Sequence, residues 1–306
     1  MKFFIAVLLA FVLLEVEVKA FTRRLQPRVV AGRNANQGQF PYIVSLRFMD
    51  THICGGSIIS ANYILTAAHC LSTEIDDESF DLEPHRLSIY AGSIHLGSGG
   101  VAVQVAEYTK HPGYAGLYRD IAVVRLAQPL NFTDEIRPIN LSQSDPPSFA
   151  NADIVGWGRL YENGPRPDIL QYNSMASLSH DLCDMLNPLV DESFLCLLPH
   201  RREPNGICNG DSGGPAVYND VLVGVTNFAT DACGSAHPDV FANVAYYADW
   251  IRENSDLGNV NVENSDSGNV DVENSDSGNV DVENSNSGSV DVENSNADNA
   301  MELGRF

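Results

Sequence analysis

Between Val29 and Arg252 short apolar runs alternate with turn-forming clusters, and that rhythm restricts this part of the chain to a mostly β architecture. Tyr42-Ile43-Val44-Ser45-Leu46, Leu87-Ser88-Ile89-Tyr90, Ile121 to Leu126, Ala152 to Val155 and Val221 to Val225 all have strand length. Gly, Pro, Asn and Asp separate such runs, as they do in sandwiches and barrels. One stretch differs. Val244, Tyr247, Ala248 and Ile251 recur at helical spacing, so Val240 to Asn254 is expected to end in a helix. A segment of this length fits one large β domain or two packed barrels.

The two ends of the chain have another texture. Residues 1–20 read as a signal peptide: Lys2 gives a positive start, Phe3 to Leu14 is apolar, and cleavage is expected after Ala20. A membrane anchor is the competing reading, but a bilayer needs roughly twenty apolar residues, and Glu15 and Glu17 interrupt this run. No later segment is apolar enough to span, so no membrane partner is expected. Residues 21–28 are short and basic, with Arg23, Arg24 and Arg28.

Residues 253–306 carry a ten-residue unit, Glu-Asn-Ser-Asp-x-Gly-Asn-Val-x-Val, starting at Glu253, Glu263 and Glu273 with a variant at Glu283. This stretch holds 13 acidic residues and one basic residue, with few apolar ones. It cannot bury enough surface to offset its ordering entropy, so a disordered acidic tail is expected. A repeat solenoid is the alternative for such periodicity, although ten residues is a short period. The whole chain has a net charge of −22, which repels a polyanion and argues against a nucleic-acid partner. Glu74, Asp76, Asp77, Glu78, Asp81 and Glu83 form a second acidic stretch. It reads as a solvated loop, with calcium binding around Asp76 as the other possibility.

Cys54, Cys70, Cys183, Cys196, Cys208 and Cys233 are an even set in a chain that reads as exported. Three disulfides are expected, and spacing alone leaves fifteen connectivities open.

The chemistry is concentrated at Gly210-Asp211-Ser212-Gly213-Gly214-Pro215. A serine hydroxyl is a weak nucleophile and needs a base to take its proton. Flanking glycines allow a tight turn and close approach of a substrate. The amides of Gly210 and Ser212 are placed to face a developing oxyanion. His69, in Leu65-Thr66-Ala67-Ala68-His69-Cys70, is the candidate base. Asp120, leading into an apolar strand, is the candidate carboxylate that fixes the imidazole tautomer. Taken singly, each also fits a bland role: a Gly-rich turn, a structural histidine, a turn aspartate.

As a set they resemble the trypsin/chymotrypsin family. Val29-Val30-Ala31-Gly32, Cys54-Gly55-Gly56-Ser57, Thr66 to Cys70, Asp120 to Leu126, Gly156-Trp157-Gly158 and Gly210 to Pro215 occur in family order. The resemblance implies an all-β fold over residues 29–252, with two packed antiparallel six-stranded barrels, a C-terminal helix and a site between the barrels. It implies the pairs Cys54–Cys70, Cys183–Cys196 and Cys208–Cys233. Ser212 would be the nucleophile, His69 the general base and acid, Asp120 its orienting carboxylate, and the amides of Gly210 and Ser212 the oxyanion hole. No metal or organic cofactor is implied.

By the same resemblance, a trypsin-like protease cuts Arg28–Val29, and the new Val29 ammonium pairs with Asp211, since a buried charge needs a partner. Gly206 would lie at the base of the substrate pocket beside Ile207, with Asn227, Phe228 and Ala229 as one wall. That set points to cleavage after apolar residues, in the manner of chymotrypsin or elastase. Asp239, where the family often has glycine, points instead to basic or mixed specificity. The overall expectation is a secreted, monomeric, digestive serine endopeptidase acting on proteins or peptides. A catalytically silent homologue that acts by binding is the alternative. Asn131-Phe132-Thr133 and Asn140-Leu141-Ser142 are glycosylation sequons, at Asn131 and Asn140.

Overall fold

The computed structural model describes residues 32–75, 78–200 and 205–259. The leader, Arg28, Val29, Asp76 and residues 260–306 lie outside the described residues, and with them the expectations for export, activation, calcium and the tail.

The chain opens with the two-residue strand β1 (Arg33–Asn34), then β2 (Ile43–Phe48), β3 (Thr51–Ile58) and β4 (Tyr63–Thr66). A hairpin of β5 (Ser72–Ile75) and β6 (Glu78–Asp81) precedes β7 (Leu87–Ala91), β8 (Val101–Lys110) and β9 (Ala122–Leu126). The second half begins with β10 (Asn140–Leu141), β11 (Asn151–Gly156), β12 (Gln171–Ser177) and helix α1 (His180–Leu186). It continues through β13 (Phe194–Leu198), β14 (Pro215–Tyr218), β15 (Val221–Ala229), β16 (Asp239–Asn243) and helix α2 (Val244–Glu253).

Two closed six-stranded antiparallel barrels result. The first runs β2-β3-β4-β9-β8-β7. The second runs β12-β11-β14-β15-β16-β13, closed by pairing of β13 with β12, and β1 and β10 attach at its sides. Tight turns need residues that tolerate positive φ. Between β14 and β15, Asn219 and Asp220 adopt φ of 49° and 60°, a conformation their short polar side chains accept readily.

The first barrel is filled by Leu46, Ile58, Ile64, Leu65, Leu87, Ile89 and Val124, all fully buried. Ile154, Met175, Leu197, Val223 and Phe241 fill the second. Helix α2 is capped by Asn243, whose Oδ1 accepts from the Ala245 and Tyr246 amides. It buries Val244, Tyr247, Ala248 and Ile251, the four residues read from spacing.

Three local readings change. Helix α1 was not visible in the sequence, because seven residues with one buried side chain, Cys183, carry almost no periodic signal. The acidic stretch after Cys70 is a β-hairpin, in which Lys110 pairs with Asp81. The packed structure also continues past Arg252 into the first acidic repeat. There, Ser255 Oγ donates to the Ile251 carbonyl at 2.7 Å, and Asn62 donates to Asp256 at 3.0 Å before a short turn at Asp256–Asn259. Among the described residues no helix is long and apolar enough to cross a membrane.

Candidate active site

His69 sits in a short helical turn, Ala68–Leu71, directly after β4. The Cys54–Cys70 bridge ties that turn to β3; closing a loop of about 15 residues is worth roughly 3 kcal/mol. Asp120 stands just before β9, the neighbour of β4, so sheet pairing alone brings the two residues together. The Asp120 carboxylate is completely buried. One oxygen accepts the His69 backbone N–H at 2.7 Å and the other meets Nδ1 at 2.6 Å. A carboxylate can only accept, so Nδ1 carries the proton and Nε2 is left as the acceptor.

Ser212 lies on a turn clamped between the barrels. The Gly55 amide donates to the Ser212 carbonyl at 2.8 Å, and the Gly213 amide donates to the Thr226 carbonyl at 2.8 Å. The fit leaves no room for side chains. A Cβ on Gly213, at φ 73°, would lie 2.2 Å from Thr66 Oγ1, and one on Gly55 would lie 2.8 Å from the Gly214 Cα. Ser212 itself is half-buried. With His69, Asn209, Ile53 and the Cys54–Cys70 bridge it lines a cleft of about 890 Å³. Among the described residues the Gly210 and Ser212 amides donate to no other group.

Asp211 points away from this cleft. Its two oxygens accept from the Gly158 amide at 2.7 Å and the Cys208 amide at 3.0 Å. Burial pushes its carboxyl up to about 6, against the pull of those amides. A Cβ on Gly156 or Gly158 would come within 2.1 or 2.2 Å of those oxygens, which explains both glycines of Gly156-Trp157-Gly158.

Sequence reasoning missed His52 and Ser45. His52 Nε2 reaches the Gly210 carbonyl at 3.1 Å, and its Nδ1 reaches Ser45 Oγ at 2.8 Å. A carbonyl only accepts, so Nε2 is the donor and the serine hydroxyl donates to Nδ1. Burial holds His52 down to about 4, so it is neutral and pins the turn ahead of Ser212. Its partner lies 158 residues along the chain, and no local pattern could have revealed that pairing.

Gly206, Ala229 and Asp239 converge on one point. Ala229 and Asp239 are cross-strand partners on β15 and β16. A Cβ on Gly206 would lie 2.5 Å from Asp239 Oδ2, so the aspartate occupies the space that Gly206 leaves open. That oxygen accepts from the Ile207 amide at 2.7 Å, while burial drives the carboxyl up to about 7. The Ile207 side chain packs into the second barrel's core, and Ala229 packs against that core. Asn227 turns away from this point and donates to the Leu117 carbonyl at 2.9 Å. Phe228 stacks edge-on to Phe194, which meets Tyr118 in the same way. The structure joins Cys183 to Cys196 and Cys208 to Cys233, the second bridge lying beside Ile207. Asn131 and Asn140 are both exposed.

Two closed barrels with a serine, a histidine and a buried carboxylate at their junction define a class, the two-barrel serine proteases. Comparison narrows it. The Trypsin family model matches residues 29–251. Serine protease SP24D of Anopheles gambiae is 37% identical over 225 residues, covering 74% of this chain and 80% of that protein. Chymotrypsin-2 of Vespa crabro is 33% identical over 229 residues, covering 74% and 99%. Among solved structures, neuropsin, a serine protease expressed in the limbic system of mouse brain, superposes with a TM-score of 0.65 at 27% identity. That match covers 72% of this chain and 97% of neuropsin. The chain belongs to the trypsin family, and it is a serine endopeptidase that acts on protein or peptide substrates.

Proposed function

We propose that Ser212, His69 and Asp120 are the catalytic residues, and that the enzyme cleaves by an acyl-enzyme route. The observation that carries this reading is the pair of bonds from one buried carboxylate to His69, which leaves Nε2 unprotonated on a residue that lines the same cleft as Ser212. In this reading His69 Nε2 takes the Ser212 proton as Oγ attacks the peptide carbonyl, and the oxyanion forms against the Gly210 and Ser212 amides. Collapse returns the proton from His69 to the leaving amine. Water, deprotonated by the same nitrogen, then releases the acid. Selective labelling of Ser212 by a fluorophosphonate tests the assignment; label on another serine, or none, would reject it. The enzyme is read as acting as a monomer without metal or organic cofactor.

Specificity is read as favouring apolar side chains before the cut, with Gly206 beside Ile207 at the base of the pocket, Ala229 at its entrance and Asp239 reaching in from the other wall. Burial raises the Asp239 carboxyl to about 7, so its charge changes between about pH 6 and pH 8. The carboxylate fraction rises from about one tenth near pH 6 to about nine tenths near pH 8. Activity toward Arg and Lys, relative to Phe and Leu, is therefore expected to rise about tenfold across that interval. Asp239→Asn should remove the change. A peptide library scored at both pH values checks it, and a flat ratio in the unmodified enzyme would contradict the placement of Asp239 in the pocket.

Residues 1–20 are read as an export signal, 21–28 as an activation segment and the acidic repeats as a disordered tail, consistent with a secreted digestive zymogen. The buried Asp211 carboxylate supports the activation step, since a cation beside it would relieve its burial cost. Arg28→Gln is expected to yield a precursor that trypsin does not convert to an active enzyme. Normal maturation at Val29 in that variant, read by N-terminal sequencing and peptide hydrolysis, would refute the junction.

A further inference from the structure

Arg166 is anchored beside Gly210, next to residues that line the cleft, and no acidic side chain is in ion-pair contact with it among the described residues. Arg86, Arg125, Arg137 and Arg252 each pair with an acidic side chain, whereas Arg166 pairs with none among the described residues. Its position is fixed, because Nη1 donates to the His52 carbonyl at 2.7 Å. The rest of the guanidinium lies over Gly210: a Cβ there would be 3.1 Å from Nη2 and 3.3 Å from Nε. The residue is exposed, so its remaining donors are open to solvent on one side. Arg159 is close enough to reinforce the local positive charge, and is itself held by donation to the Gly164 carbonyl at 2.6 Å.

The neighbours of Arg166 locate it relative to the substrate. It contacts His52 and Gly210, and the residues next to these, Ile53 and Asn209, both line the cleft with His69 and Ser212. The acyl part of a substrate belongs at the Gly206–Asp239 end. The leaving part must then extend past the Cys54–Cys70 bridge and Ile53, toward Arg166. Asp81 and Glu83 also line this cleft, but they are paired with Lys110 and Arg86. On its inner side Arg166 feels the buried Asp211 carboxylate, and on its outer side no acidic side chain pairs with its exposed donors among the described residues.

We propose that Arg166 selects a carboxylate on the leaving-group side of the scissile bond, within the first three residues after the cut. The inference rests on the reading of Ser212, His69 and Asp120 as the catalytic residues. A planar guanidinium with one donor already anchored presents its others in a fixed fork, which suits a carboxylate better than an amide. The carboxylate is either an Asp or Glu side chain or the C-terminus of a short peptide.

The test uses the mature enzyme and peptides with one constant acyl sequence. Glu, Gln or Lys is placed at each of the three leaving-group positions, with free and amidated C-termini. For the unmodified enzyme, kcat/KM is expected to favour Glu over Gln by about tenfold at one of these positions, if a side chain is selected. If the terminus is selected, free peptides are favoured over amidated ones instead. Either preference should shrink in roughly 1 M salt, where charges are screened beyond about 3 Å. It should vanish in Arg166→Gln and persist partly in Arg166→Lys, which keeps the charge but loses the fork. Equal rates for all peptides with the unmodified enzyme, or a preference that survives Arg166→Gln, would overturn the proposal. So would an Arg166→Gln defect of equal size on every peptide and on a chromogenic amide with no residue after the cut, because that pattern belongs to support of Gly210 and Asp211. Fluorophosphonate labelling of the unmodified enzyme is scored first, so failure of the Ser212 assignment is seen separately from failure at Arg166.

Discussion

Replacing Ser212 by alanine is expected to lower kcat about 10⁶-fold, roughly 8 kcal/mol of transition-state stabilisation, and to abolish fluorophosphonate labelling. The loss is large because the covalent route disappears altogether, leaving His69 and Asp120 without a group to activate. The Gly210 and Ser212 amides survive the change, so a residual rate of about 10³ to 10⁴ over water is expected. Fold and KM should hardly move. The Ser212 backbone is fixed by the Gly55 amide and the glycines beside it, not by the hydroxyl. Active-site titration, kcat and a thermal melt on the same preparation decide the matter; a variant that keeps more than one hundredth of the activity would place the nucleophile elsewhere.

Asp120→Asn is expected to cost about 10⁴ in kcat near neutral pH, the size established for the carboxylate of this family's triad. Here the geometry shows how an isosteric change does so much. Asp120 uses one oxygen for the His69 backbone N–H and the other for Nδ1. An asparagine satisfies both contacts by keeping its oxygen on the backbone amide and turning its NH₂ toward Nδ1. The imidazole then accepts at Nδ1 and carries its proton on Nε2, where it cannot take one from Ser212. Stability should be nearly unchanged, since no buried group is left without a partner. A tenfold or smaller loss of kcat would show that Asp120 does not control the tautomer.

The acidic residues of the interior have a related logic. Asp211 and Asp239 are both buried carboxyls pushed upward by desolvation, to about 6 and about 7. A carboxyl raised in the folded state binds its proton more tightly there than in the unfolded chain. Its stabilising contribution is therefore complete below the ordinary carboxyl range and is lost as pH rises through the folded value. His52 works in the opposite direction. Held down to about 4, it contributes stability that is present above the ordinary histidine range and is lost on acidification toward its folded value. Near neutral pH His52 is therefore neutral, whereas Asp211 and Asp239 change charge between mildly acidic and mildly basic pH.

Much of this was legible in the chain. The strand runs at Tyr42–Leu46, Leu87–Tyr90 and Val221–Val225 became β2, β7 and β15, because a short apolar run bounded by turn residues is a local signal. Helix α2 appeared at its four spaced residues for the same reason. Ser212, His69 and Asp120 stood out because motif residues surround each of them, and the structure brings His69 and Ser212 into one cleft. Helix α1 and the β5–β6 hairpin did not stand out, being short and weakly patterned.

What the sequence determined by itself was therefore the class of architecture and the family, with Ser212, His69 and Asp120 as the residues proposed for the chemistry, all carried by local patterns or recognisable segments. The tertiary structure decided the rest: that His52 holds Gly210 across 158 positions, that Gly206 is open because Asp239 fills its place, and that Arg166 stands over Gly210 with Nη1 fixed on the His52 carbonyl. These are relations between residues distant in the chain and adjacent in space. Close packing and burial fix both the contacts and the charge states, and neither exists until the two barrels have closed on each other.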